Sequence, residues 1–444
     1  MIESLLVANR GEIARRIIRT AGRLGIRSIA VYSEADAGLP FVAEADQAIC
    51  VGPANPALSY RNADAIIAAA TASGARAVHP GYGFLSENAE FARTVEAHGL
   101  IWVGPCAEAI TAMGDKINAR NLMAAAGVPV APGSPDPAVT VGDAIDAAST
   151  IGYPVMVKAA AGGGGMGMAV ATDEAALRSE FDTVHAFAER MFGDGAVLIE
   201  QYFPRVRHVE VQILGLADGR VVALSERECS VQRRHQKLVE ESPSPAVGPR
   251  LRERLLAAAV RAGEAVGYRN AGTVECLLDP AAGEFYFLEM NTRLQVEHPI
   301  TELIHGIDLV EEQLRIASGE PPAGDLERAT RGHAIELRIN AEDPKRFLPG
   351  PGKVTAWVEP SGDGVRVDSG YGPDTTVTPH YDSLMAKLIV VGADRDDAIA
   401  KARTAVAGFE IAGPKNNLPF FAELLANEEF LSGDYDTGIV SRMR

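Results

Sequence analysis

The sequence predicts a multidomain α/β protein. It should have an N-terminal α/β domain with a parallel sheet, a small domain built on a glycine-rich hairpin, and a larger α+β region behind it. Three observations lead there. Residues 4–79 run in a β-α-β-α-β rhythm, the pattern of a parallel sheet wrapped by helices. A stretch with four prolines, 129–137, reads as a domain boundary. Two strand-turn-strand patterns follow, one through a run of glycines at 155–171 and one at 273–291. A chain of 444 residues also exceeds one ordinary core.

Taken in order, residues 4–8, 28–32 and 75–79 are expected strands, and 11–24 and 64–73 expected helices. The first turn holds a single glycine, Gly11, so it is not the fingerprint of a dinucleotide site. Asp115 can cap a helix over 117–126 that stops at Gly127, with Pro129 behind it. The expected limits are 1–115 for the N-terminal domain, 116–134 for a helical linker, 135–204 for the small domain, 205–330 for a central domain and 331–444 for a C-terminal one. Net charge is −17, which argues against a general nucleic-acid or anionic-membrane binder. The N-terminus carries an early Glu3 and a short apolar run, neither signal peptide nor anchor, and no stretch approaches a membrane span. Cys50, Cys106, Cys229 and Cys276 are scattered and read as free thiols, so a cytoplasmic protein is expected.

Residues 155–158 end in Lys158. A loop with glycines at 162–165 and 167 follows, then a strand at 169–171. Glycines let backbone N–H groups close on a polyphosphate without Cβ clashes. No Gly-Lys-Ser/Thr ending and no helix follow, so this is a hairpin lid rather than a P-loop. Lys158 would add a cation for the phosphates. A plain surface hairpin is the alternative.

Residues 273–278 and 284–291 read as two strands of a hairpin. Alternation puts Thr273, Glu275 and Leu277 on one face, and Phe285, Phe287, Glu289 and Asn291 on one face. Symmetry about residue 282 stands Glu275 opposite Glu289. Like charges so placed destabilise a sheet unless a cation lies between them. Two carboxylates and an amide oxygen suit Mg²⁺. A slipped register, with one glutamate in solvent, is the alternative.

Arg293 and Glu297 follow at once. Arg293 offers a planar fork for an oxyanion, and Glu297 is a candidate base. A surface ion pair is the plainer reading, and proximity to the acidic hairpin favours function. His298 precedes a proline and is set aside as structural. The run 232–237 is basic in an acidic protein and reads as an anion-binding strand, without the aromatics that single-stranded nucleic acid needs.

In this order the motifs resemble those of the biotin carboxylase family. The likeness extends from 6–12 through 79–88 (His-Pro-Gly-Tyr-Gly-Phe-Leu-Ser-Glu-Asn), the glycine loop, 232–237, 289–298 and 333–343 to 379–383. It implies a ligase with an N-terminal α/β domain, an ATP-grasp lid, and central and C-terminal domains that hold the site. It implies ATP contacts from Lys116, Lys158, Gly164, Gly165, His208, Gln232, His235, Glu275, Leu277 and Glu289, with Glu200, Gln201 and Phe203 at an adenine hinge. Glu275, Glu289 and Asn291 would hold Mg²⁺ or Mn²⁺. Lys237, Arg293, Gln295 and Val296 would bind bicarbonate, and Glu297 would deprotonate it. Gly83 and Arg338 would meet biotin, Arg338 stabilising its enolate. A homodimer is implied, with a biotin carboxyl carrier protein and a carboxyltransferase subunit as partners. Met166 departs from the family, which usually has Arg or Lys there. The biotinyl-lysine motif is absent, so the carrier is expected on another polypeptide or on a part outside this sequence. Two rivals share part of this pattern. One is another ATP-grasp ligase, which has no use for Arg293–Glu297; the other is an inactive nucleotide-binding subunit, for which Met166 alone speaks.

Overall fold

The computed structural model describes residues 2–134, 136–160 and 167–443. Gly164, Gly165 and Met166 lie outside the described residues. The N-terminal sheet has five parallel strands in the order Gln47–Gly52, Arg27–Ser33, Ser4–Val7, Ala77–His79, Ile101–Trp102. The two outer strands are absent from the expected elements. Gln47–Gly52 is half exposed, and Ile101–Trp102 is two residues long, so neither shows the apolar run of a buried strand. Strand order reverses between Ser4–Val7 and Ala77–His79, the kind of point at whose C-terminal side such sheets bind ligands. There the Asn9 side chain donates to Pro80 O at 2.6 Å and Tyr82 O at 2.7 Å, holding the loop that carries Gly83.

The helix Gly11–Arg23 buries Ile13, Ala14, Ile17, Ile18 and Ala21 on one face. That face shares a core with Leu337, Leu388 and Val390 from the far end of the chain. The helix Lys116–Ala125 starts where Asp115 caps it, accepting from Ile117 N and Asn118 N. The small domain is a three-stranded antiparallel sheet, Met168–Ala171, Val155–Ala159 and Val197–Gln201, over the helices Val141–Ile151 and Glu174–Phe192.

An eight-stranded antiparallel sheet dominates the rest, beside two small two-stranded sheets. Its order is Glu284–Asn291, Asn270–Asp279, Arg207–Gly215, Val221–Arg233, Gln236–Ser242, His333–Asn340, Leu384–Gly392, Val365–Ser369. Gln236–Ser242 pairs with His333–Asn340, so one sheet runs across residue 330. The basic run 232–237 is a hairpin, not the expected single strand. Gln232 pairs with Lys237, and Arg234 and His235 form a two-residue turn with φ of 48° and 68°.

Buried charges fasten the C-terminal segment to this sheet. Glu241 accepts from His333 Nε2 at 2.7 Å, from Arg395 Nε at 2.7 Å, and from the Tyr435 hydroxyl. Burial pushes its carboxyl up, but His333 and Arg395 pull it further down, to about 2. Glu241→Gln leaves Arg395 without its buried partner and should cost about 3–5 kcal/mol at neutral pH. A depressed carboxyl stabilises the fold above the ordinary glutamate range and loses that contribution as pH falls through it. The gap in melting temperature between wild type and variant should therefore narrow below about pH 4.3. A gap independent of pH would contradict this assignment.

Candidate active site

One face of the large sheet is apolar. Val209, Val211, Ile213, Val274, Cys276 and Leu278 pack there in one core with Leu255 and Ala258 of the helix Pro249–Ala265. Period-2 alternation then turns His208, Glu210, Gln212, Thr273, Glu275 and Leu277 to the opposite face. Cross-strand register places Glu275 between Glu210 and Glu289, and Arg227 beside Glu210. The result is a row of three carboxylates.

The expected register about residue 282 holds at Thr273–Asn291, Val274–Met290 and Glu275–Glu289. It then shifts, and Cys276 pairs with Phe287 rather than Leu288. The face expected to carry Phe285, Phe287, Glu289 and Asn291 together is split by this bulge. Phe285 and Phe287 enter the core with Cys276 and Leu278, while Glu289 stays opposite Glu275.

Lys237 stands at the centre. Its ammonium lies 2.6 Å from Glu210, 2.8 Å from Glu275 and 2.7 Å from Glu297. Burial lowers its pKa, and the surrounding Cys229, Glu210, Glu275 and Glu297 raise it more, well above the usual lysine value. Glu210 is also held by the fully buried Arg227, at 2.5 Å. Arg227 bonds Gln212, Thr301 and Thr273 as well. Glu275 further accepts from Gln295 at 3.0 Å and lies 2.9 Å from His208 Nε2. Glu297 accepts from Arg338 at 3.0 Å, and Arg338 reaches Glu240 at 2.5 Å. Arg293 bonds Asn291 Oδ1, Gln295 Oε1 and Glu87. Glu87 also accepts from Thr292 N, which ties the 79–88 stretch to this loop.

The acids are treated unequally. Burial pushes Glu297 up, but Lys237, Arg338 and Arg227 pull it far down; Glu275 is likewise held low by Lys237 and His208. Burial and Glu275 push Glu289 up, against Lys116. Burial raises Glu240 to about 7, with Arg338 opposing and Glu297 assisting. Among the described residues Glu289 has no hydrogen bond or ion pair, and this half-buried, unpartnered carboxylate suits a cation. Asn291 fits less directly, since its amide oxygen is turned to Arg293.

The expected nucleotide residues fall on the lid side of this row. Lys158 is tied to Glu200. Burial lowers the Lys116 pKa, which Glu289 raises and Lys158 lowers, so the three groups share one region. Gln201 N–H donates to Pro132 O, and Phe203 N–H has no acceptor among the described residues. The Phe203 ring stacks on Tyr286 at 4.8 Å. Gln232 Nε2 lies 3.2 Å from His208 Nδ1, and burial, His208 and Lys158 lower the His235 pKa. Leu277 pairs across with His208. Gly83 belongs to the loop held by Asn9, with φ of 69°. Sequence reasoning missed Glu210, Arg227, Glu87 and Glu240. The polar-apolar alternation of 208–213 was a readable signal for Glu210.

The geometry separates Glu275 from Glu289. Glu275 is already neutralised by Lys237 and His208, so only Glu289→Gln should raise the melting temperature in EDTA; Glu275→Gln should lower it. An acid pushed up by burial destabilises at rising pH, so the Glu289→Gln gain should disappear below the ordinary glutamate range, about pH 4.3. Equal effects of the two substitutions would contradict the asymmetry.

Three domain families match the chain. Biotin carboxylase, N-terminal domain, covers residues 1–110; carbamoyl-phosphate synthase L chain, ATP binding domain, covers 115–323; biotin carboxylase C-terminal domain covers 336–442. Biotin carboxylase 2 of Bacillus subtilis (strain 168) is 48% identical over 445 residues, covering 100% of each chain. A Campylobacter jejuni biotin carboxylase solved as a β,γ-ATP complex is 44% identical, with a TM-score of 0.96 over 100% of this chain and 99% of that one. The biotin carboxylase domain dimer of Hydrogenobacter thermophilus 2-oxoglutarate carboxylase, in complex with MgADP, ADP and bicarbonate, is 42% identical. Its TM-score is 0.95, over 100% of this chain and 98% of that one. The match spans the whole sequence and includes the segments that bear Lys237, Glu275 and Glu297: the chain belongs to the biotin carboxylase family.

Proposed function

We propose that the chain uses MgATP and bicarbonate to carboxylate biotin on a separate carrier protein, the first half-reaction of a biotin-dependent carboxylase. The observation that carries this is the Lys237 ammonium shared by Glu210, Glu275 and Glu297, with Arg293 and Arg338 alongside. It sets a metal-suited acid pair, an oxyanion fork and a base within one cluster.

In this reading Lys116, Lys158, Gly164, Gly165, His208, Gln232 and His235 bind ATP. Glu200, Gln201 and Phe203 meet the adenine, with Leu277 beneath it. Glu275, Glu289 and Asn291 hold Mg²⁺ or Mn²⁺, which when bound neutralises charge on the phosphoryl oxygens. Lys237, Arg293, Gln295 and Val296 N–H hold bicarbonate. Glu297 takes its proton, and the freed oxygen attacks the γ-phosphorus as ADP leaves, giving carboxyphosphate. Carboxyphosphate releases CO₂ and phosphate; the phosphate takes the proton of the biotin ureido nitrogen, which then attacks CO₂. Arg338 holds the enolate oxygen of biotin beside Gly83. Glu297 is a weak base while Lys237 and Arg338 hold it. Anionic substrates that draw these cations off raise its basicity when it is needed.

The limits 1–115, 116–134, 135–204, 205–330 and 331–444 serve as working units of this enzyme. A biotin carboxyl carrier protein and a carboxyltransferase subunit would complete it, in the cytoplasm, and the related domain dimer supports a homodimer. No described helix is long and apolar enough to cross a membrane.

Phosphate release from ATP should require Mg²⁺ and bicarbonate and rise with free biotin. Equal rates with and without bicarbonate in CO₂-depleted buffer would refute the reading. Glu297→Gln should keep nucleotide affinity by calorimetry and lose about 10²–10⁴-fold of bicarbonate-dependent turnover. A loss below about tenfold would remove Glu297 as the base.

A further inference from the structure

His298 lies one residue beyond Glu297, fully buried at the start of the helix His298–His305, and no step above uses it. Its ring Nδ1 sits 2.8 Å from Gln295 O. A carbonyl oxygen can only accept, so Nδ1 carries the proton. Burial, with Lys387, Arg16 and Arg366 nearby, keeps the ring neutral, and Nε2 has no hydrogen-bond partner among the described residues. Nε2 lies 3.9 Å from Glu302, too far for a hydrogen bond.

The carbonyl of Gln295 and the N–H of Val296 belong to one amide. That amide is planar and trans, so its C=O and N–H point in opposite directions and fixing one fixes the other. Val296 N–H has no acceptor among the described residues, and Val296 is only partly buried. The next amide is held in the same way, with Lys387 Nζ donating to Val296 O at 2.9 Å. Lys387 is itself buried and paired with Glu12 at 3.1 Å.

We propose that His298 is a positioning residue: its Nδ1–H clamps the Gln295 carbonyl and thereby turns the Val296 N–H toward the bicarbonate. This rests on the reading of residues 293–297 as the bicarbonate loop. Asparagine places an amide N–H near the position of Nδ1, whereas glutamine carries it to that of Nε2. Both variants keep a buried polar amide, so a purely structural role predicts like behaviour.

The experiment measures KM for bicarbonate and for ATP in the whole chain. His298→Gln should raise KM for bicarbonate by at least about tenfold and leave that for ATP nearly unchanged, because a small misplacement of a binding group is costly. His298→Asn should recover most of the loss. Equal bicarbonate constants in both variants, or ATP constants that move in step, would overturn the proposal. Should neither variant fold, amide hydrogen exchange of the wild type decides. Val296 N–H should exchange freely without bicarbonate and slow with it; protection without bicarbonate overturns the proposal. A wild type without bicarbonate-dependent turnover would instead refute the bicarbonate reading itself.

Discussion

A single buried ammonium organises this site. Lys237 has 10% of its side chain exposed and three carboxylates within 2.8 Å. Removing an ion from water costs several kcal/mol even after relaxation, and only close counter-charges with good geometry offset it. Glu210, Glu275 and Glu297 supply them from three separate segments. Two of those segments are neighbouring strands whose register is set by the apolar face beneath, and the third is the start of a helix. The packing of Val209, Val211, Val274 and Cys276 thus decides where the charges meet.

Three carboxylates exceed one ammonium, and the remaining cations settle the balance. Arg227 supports Glu210, His208 supports Glu275, and Arg338 supports Glu297. Glu289 and Glu240 receive less and are pushed toward the neutral form. Donors and charges are in place before a substrate arrives, which is the form of stabilisation that costs no reorganisation during the reaction. It also keeps Glu297, the proposed base, quiet. Glu297 shares both of its cations with the groups expected to bind the anions, so its basicity is coupled to occupancy.

Much of this was legible in the residues. Alternating elements announced the parallel sheet, Asp115 and Gly127 bracketed their helix, and hairpin symmetry paired Glu275 with Glu289. What escaped has physical causes. A bulge leaves no mark in an alternating pattern, so the faces of Phe285 and Phe287 came out wrong. The turn at Arg234–His235 lacks the glycine or asparagine that usually announces positive φ. Glu210 and Arg227 lie outside the recognisable motifs, and strand order brings Arg227 beside Glu210, which meets Lys237. Lys387 looks like an ordinary lysine within a strand until its burial against Val296 O and Glu12 is seen.

Lys237 holds Glu297 ionised, and the rest of the site follows from that. Infrared difference spectra between wild type and Glu297→Gln, recorded without substrates from about pH 4 to 8, read that carboxyl directly, since an ordinary glutamate titrates near 4.3. No protonated-carboxyl band assignable to Glu297 should appear anywhere in this range, and one should appear when Lys237 is replaced by methionine. A Glu297 band that titrates in the wild type above about pH 5 would contradict it.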